Sequence, residues 1–256
     1  KLTWNIINMG AALGGYAAAA VTYYGSFRLF GSAAFRGGVL SWTVSQGEWG
    51  GGLLGGGDVL FLVACLVGGL VAAVAGYVVG LPSLRLRGDY LAIVTLGFGE
   101  IVRVLLQASQ PQLFGADEIQ ATAAWRLSVS LGGALGFISL PFYTTLFWVY
   151  AFVALTLIVT CRIKYSSYGR AFLSIREDEI AAEAMGIHTT RYKVRAFVLA
   201  AFFAGLAGAL YGHSIGSINA GELGFQKSFD LIIMVVLGGM GSISGSTLAA
   251  VLLTLL

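Results

Sequence analysis

Charge is what this sequence has least of. Of its 256 residues only 11% are Asp, Glu, Lys or Arg, while 57% are hydrophobic. Soluble domains carry about 25% charge and about 45–50% apolar residues. A water-facing surface cannot be built from such a chain, which excludes a soluble enzyme or binding domain. Cysteine is nearly absent as well. Cys65 and Cys161 each fall inside an apolar run, and neither a disulfide framework nor a metal-ligand spacing can be drawn from them. The two histidines, His188 and His213, have no acidic or nucleophilic neighbour at useful spacing and are expected in loops. Basic patches with interleaved aromatics, the footprint of a nucleic-acid surface, are missing.

Glycine and long apolar runs are what the chain has in excess. There are 37 glycines without a G-X-Y period, about twice the ordinary share, and in apolar helices glycine lets backbones approach closely. Val59 to Leu81 carries no charge and would rise about 34 Å as a helix, against a hydrocarbon core of about 30 Å. Small residues recur every fourth position along it, at Ala64, Gly68, Ala72, Gly76 and Gly80, a stripe expected to face another helix. Phe142 to Cys161 and Ala196 to Gly212 read as further spans, the latter with its own stripe at Ala200, Ala204, Gly208 and Gly212. Trp4 to Tyr24 is a weaker fourth. Tyr90 to Gln107 is apolar but interrupted by charge. Phe229 to Met240 leads into the Gly/Ser-rich stretch Gly241 to Ser246, with a partial span expected from Thr247. The fold class is therefore all-α, a polytopic transmembrane bundle forming one domain over residues 1–256, with at least one short or interrupted span. Lys1 is not a methionine and Leu256 lies within an apolar run, so both ends are expected to be truncated. Residues 1–24 lack the basic region and cleavage site of a signal peptide.

Lysine and arginine give the orientation. Seven of the fifteen lie between Arg162 and Arg195, which places that loop in the cytoplasm. Alternation of spans puts Arg85, Arg87 and Lys1 on the same side, and Arg28, Arg36, Arg126 and Lys227 on the other. Within residues 162–195 the sequence predicts a short cytoplasmic helix. Ser174 and Glu177 have capping-box spacing. Glu177, Asp178 and Glu179 suit a helix start, Ala181 to Met185 are good helix formers, and Gly186 is a natural stop. Ile180, Ala184 and Met185 would be exposed. This element is either a solvated connector or a coupling helix that docks into a partner.

Several stretches resemble a known family. Leu84-Arg85-Leu86-Arg87-Gly88-Asp89-Tyr90 through Ile101, Gly169 through Ile187, and Met234-Val235-Val236-Leu237-Gly238-Gly239-Met240-Gly241-Ser242-Ile243-Ser244-Gly245 are similar to LivM-type permeases of branched-chain amino-acid ABC importers. With Ala196 to Tyr211, the likeness covers most of residues 80–256. The resemblance implies a subunit that hydrolyses nothing itself. Its partners would be a second related permease, two ATPase subunits that bind the ATP and Mg, and an extracytoplasmic substrate-binding protein. The assembly would import branched-chain or related amino acids across a bacterial or archaeal cytoplasmic membrane, although relatives also move urea. The loop around Glu183 and Gly186 resembles the segment that meets the ATPase, and with the helix reading above ATPase coupling is expected at Ser174, Glu177, Ile180, Glu183, Ala184, Met185 and Gly186. Two segments depart from the family pattern. Gln112 to Asp117 stands where a Thr-Gly-Gly-Pro-like stretch is expected, and Asn8 to Tyr16 is short and lacks a histidine.

Candidate path-lining residues are Thr95, Gly97, Gly99, Glu100 and Arg103, with Gly238, Gly239 and Gly241. A charge in mid-span costs about 2.5–3.5 kcal/mol on insertion scales, but Glu100 and Arg103 have i,i+3 spacing and can neutralise each other. They are either a structural ion pair or part of the path. Gly238 to Gly245 is either unwound backbone offered to substrate at membrane depth or a tight cytoplasmic turn. The rival function is a proton-coupled secondary transporter working through Glu100. Two near-motifs are rejected. Gly221 to Ser228 has Gln226 where a phosphate-binding loop needs glycine, and Gly97-Phe98-Gly99 lacks the third glycine of a dinucleotide fingerprint.

Overall fold

In a computed structural model, residues 4–31, 38, 55–83, 89–122, 124–127, 129–221, 224–239 and 242–255 are described. Eleven α-helices occur among them: α1 (Trp4–Phe30), α2 (Gly56–Ser83), α3 (Asp89–Gln107), α4 (Ala116–Ala121), α5 (Ala124–Leu127), α6 (Leu146–Lys164), α7 (Ser167–Glu177), α8 (Glu179–Ala184), α9 (Thr189–Ile215), α10 (Phe225–Gly238) and α11 (Ile243–Leu255). Three of them, α2, α6 and α9, are long and apolar enough to cross a membrane. The molecule is an all-α membrane helix bundle. Lys1, Arg36, Arg85 and Arg87, used above for orientation, lie outside the described residues.

Close packing of α1, α2 and α9 makes the core. A Cβ added to Gly14 would collide with the backbone of Gly205, and one on Gly208 with the Ala11 carbonyl. Gly68 meets the Gly14 carbonyl, and Gly205 lies so close that a Cβ would stand 2.6 Å from Ala72 Cβ. These pairings run α1 parallel to α9 and both antiparallel to α2. The expected stripe on α2 faces its neighbours: Ala64, Gly68, Ala72, Gly76 and Gly80 are all buried. With no gain from removing apolar surface from water, backbone-level contact is what holds helices together in lipid.

At one end of the bundle α4, α5 and residues 129–145 form a cap over α1. Tyr24 donates its hydroxyl to the Ser130 carbonyl at 2.7 Å, and Gln112 pairs with the Ile138 backbone through both amide atoms, at 3.0 and 2.9 Å. At the other end lie the basic residues Arg162 and Lys164 of α6, Arg176 of α7, and Arg191, Lys193 and Arg195 of α9. The turn between α10 and α11 sits there too: Ser242, Ile243 and Ser246 share a groove with Lys164, Phe172 and Arg176. The last helix starts at Ile243, not at Thr247, because Ser242 closes its first turn by accepting from the Gly245 N–H at 3.1 Å.

The chain between α9 and α10 departs from the expected topology. After Ile215 it does not remain at the capped end but turns back inward. Ile218 forms an antiparallel bridge with Phe137, exchanging hydrogen bonds of 2.9 and 3.0 Å. By Gly224 it has reached Asn8 of α1, whose amide donates to the Gly224 carbonyl at 2.7 Å and to Ser228 Oγ at 3.3 Å. Two residues beyond Asn8, Gly10 touches Ala201, which also touches Gly76 of α2. That level lies about 10 Å from the Ser83 end of α2. The backbone at Lys227 is therefore within the bundle and not at the outer end where the charge count put it. Backbone polar groups at this depth need partners, and Phe137 and Asn8 supply them. His213, expected in a loop, is fully buried inside α9. Its Nδ1 lies 2.7 Å from the Ala209 carbonyl, and Phe61 stands edge-on at 5.1 Å between ring centroids.

Candidate functional site: a helical elbow and a Glu–Arg cavity

The elbow of α7 and α8 is built from local sequence. Ser166, not Ser174, caps α7, accepting from the Gly169 N–H at 3.4 Å. Asp178 then caps α8, its Oδ1 accepting from the N–H groups of Ile180 at 2.8 Å and Ala181 at 3.1 Å. The Ser174–Glu177 capping box is thus not formed. Ser174 lies within α7 and donates to the Ala171 carbonyl at 2.9 Å, while Glu177, the last residue of α7, pairs with Arg176 at 2.7 Å. The physical reason is that helix α7 runs through Ser174, its Phe172 held edge-on against Tyr192 of α9. The break falls one residue after Glu177, where Asp178 is extended and its carboxylate satisfies two orphan N–H groups.

Gly186 stops α8 as its type allows. Its φ is +83°, its N–H donates to the Glu183 carbonyl at 2.9 Å, and the Ile187 N–H donates to Ala182 at 3.0 Å, the two bonds of a Schellman closure. The helix turns two faces to its surroundings. Ala182 is buried against the body of the protein, whereas Ile180 is 75% and Met185 83% exposed. Ala184 is exposed beside them. Glu183 accepts a hydrogen bond of 2.6 Å from the Thr189 hydroxyl, and Glu179 is ion-paired with Lys193.

The second site lies between α1, α3 and the start of α10. Glu100 and Arg103 form the expected pair, Nε to Oε2 at 2.7 Å, and both side chains are about one-third exposed. Arg103 also reaches Gln107 at 3.4 Å. Together with Asn8, Gly99, Gly224 and Ser228 they line a cavity of about 20 Å³, room for about one water. Of the other candidate path residues, Thr95 is buried on α3 and Gly97 has open space where a Cβ would stand. Gly238 and Gly239 are elsewhere: they end α10 at the turn toward the basic end, with Gly239 at φ +86°. Gly241 lies outside the described residues. Asn8, Gly224 and Ser228 escaped sequence reasoning. The available signal was Asn8, one of two side-chain amides near the start of a largely apolar helix, where polar groups are costly and need a partner.

A family model described as the branched-chain amino acid transport system / permease component matches residues 3–256. The high-affinity branched-chain amino acid transport system permease protein LivM of Salmonella typhimurium is 38% identical over 247 residues, covering 90% of this chain and 54% of its own length. The protein of the same name from Escherichia coli is 38% identical over 248 residues with the same coverage. The LivH permease protein of Salmonella typhimurium is 38% identical over 106 residues, 41% of this chain and 34% of its own. The chain thus spans about half the length of the LivM relatives it matches. No solved structure matches it.

Proposed function

Because the chain belongs to the family of branched-chain amino acid transport permease components, we propose that it is one permease subunit of an ATP-driven importer in a bacterial or archaeal cytoplasmic membrane. Its cargo would be branched-chain or chemically related amino acids. A second related permease would complete the membrane pathway, two ATPase subunits would bind ATP and Mg, and an extracytoplasmic protein would deliver substrate. No reaction is assigned to this chain itself. The observation that carries the reading is α8: a capped, glycine-stopped helix at the basic end, with Ile180, Ala184 and Met185 turned outward. By the positive-inside rule that end faces the cytoplasm, where ATPase subunits would meet it. A helix this short is marginal in water on its own, and burial of Ile180 and Met185 in a partner's groove would contribute about 1.5–3 kcal/mol each.

The Glu100–Arg103 cavity is proposed as the constriction of the path. At about 20 Å³ it is far too small for an amino acid, so α3 must part from the chain at Gly224 and Ser228 for substrate to pass. A proton-driven carrier working through Glu100 has no use for α8, and its uptake would survive loss of the ATPase. The test is Ile180→Asp and Met185→Asp in the assembled transporter. Each is expected to leave the bundle folded, to weaken ATPase pull-down at least about tenfold, and to abolish uptake. Undiminished pull-down and uptake in both variants would overturn the coupling role and favour the proton-driven reading.

A further inference from the structure

Both acidic residues of α8 are tied to the start of α9. Glu183 is engaged by the Thr189 hydroxyl and Glu179 by the Lys193 ammonium. Glu179 and Glu183 are one helical turn apart on α8, and Thr189 and Lys193 one turn apart on α9. The pairing is crossed, so the two rungs close an antiparallel elbow between the helices. Thr189 is 2% exposed, so the hydroxyl end of one rung is buried, while Glu183 remains open to solvent on its other side. His188 offers no side-chain cap to α9. The Glu183 carboxylate instead sits at the N-terminal end of this 27-residue helix, where a negative charge is favoured by the helix dipole. Beyond the elbow, α9 runs against Ala11 and Gly14 of α1 and Gly68 of α2 at backbone distance. A rotation of α9 therefore cannot be absorbed by side chains at those contacts.

We infer that Glu183–Thr189 and Glu179–Lys193 clamp α8 to the first turns of α9, so that the two helices move as one body and a push on α8 reaches the α1–α2–α9 core. Thr189 and Lys193 are positioning residues: they touch neither substrate nor ATPase. The inference rests on the coupling role proposed for α8, and its test separates the two. An ion pair as exposed as Glu179–Lys193 is a weak tie by itself, while a charge-assisted bond to a buried hydroxyl is a stronger one. The Thr189 rung should matter more.

The experiment measures ATPase association, ATP hydrolysis and uptake in the reconstituted complex. Thr189→Val, which keeps shape and removes the hydroxyl, is expected to retain association and hydrolysis and to lower uptake per ATP hydrolysed by about tenfold. Thr189→Ser should behave as the unaltered protein. Glu179→Lys should lower the same ratio by about threefold, and combining it with Lys193→Glu should restore it. The charge exchange decides the matter where Thr189→Val fails to assemble. Unchanged ratios in both single variants would overturn the clamp, as would a charge exchange that restores nothing. Loss of ATPase association in Thr189→Val would also overturn it, since Thr189 would then serve docking. Failure of the unaltered protein to bind any ATPase would instead remove the coupling role itself.

Discussion

Helices α2 and α6 are both apolar enough to cross a membrane, yet they occupy opposite situations. In α2, 39% of the most apolar stretch is buried within the protein; in α6 the figure is 6%. Hydrophobicity does not separate them. What separates them is size at the surface: α2 presents Ala64, Gly68, Ala72 and Gly76 to α1 and α9, whereas α6 presents Leu146, Phe147, Tyr150, Val153, Leu155 and Ile158 outward. Trp148 is the residue of α6 that is buried, edge-on to Phe61 of α2 at 6.2 Å. In a bilayer, apolar surface is satisfied by lipid, so a helix packs only where small residues let backbones meet or where a large ring finds a pocket. The ends differ too. Asp58, in the first turn of α2, is fully buried and accepts the N–H groups of Gly55 at 2.8 Å and Gly38 at 2.6 Å. Its reach back to Gly55 is the second half of a capping box.

The contrast can be broken most severely at α2's packing partner. Gly205→Leu would drive a side chain into Ala72 and the Gly68 carbonyl and is expected to cost on the order of 3 kcal/mol or more, read as loss of monodisperse protein and a lowered Tm in detergent. Retention of the original Tm would show that the three helices are not in backbone contact. Next in size is Asp58→Ala, which strands two buried N–H groups and should cost about 2 kcal/mol; Asp58→Asn, keeping one acceptor oxygen, should cost less. An equal Tm loss in the two would mean that the acceptor is not what matters. Smallest is Ile158→Ala on α6, expected to change stability by less than about 0.5 kcal/mol. A larger drop would mean that α6 is covered in the assembled protein.

The same physics decides what could be read from the sequence. The α2 stripe was legible because small residues at every fourth position have one geometric consequence on a helix. Glu100 and Arg103 were legible as a pair for the same reason. Their spacing did not reveal Asn8, Gly224 and Ser228 as neighbours, because those come together from opposite ends of the chain. The cap of α8 was misplaced by a few residues, since Ser174-x-x-Glu177 fits a capping box as well as Asp178 fits a cap. Packing of Phe172 on Tyr192, which spacing does not encode, carries α7 past Ser174. The inward turn after Gly216 had no periodic signature at all. Its depth is set by Phe137 and Asn8, and an apolar run ending at Ile215 predicts only that the helix stops there.

The bond between Asn8 and Gly224 also sets a timetable. The two residues are 216 positions apart, and chains grow at about 5–20 residues per second. Between the synthesis of Asn8 and that of its carbonyl partner, about 10–40 seconds pass. During that interval α1 sits in or beside the insertion machinery with its amide lacking both Gly224 and Ser228. Helix α10, at 14 residues, is too short to cross a bilayer by itself. A segment made late therefore completes one made early, and a ribosome that stalls before Gly224 leaves Asn8 without that bond.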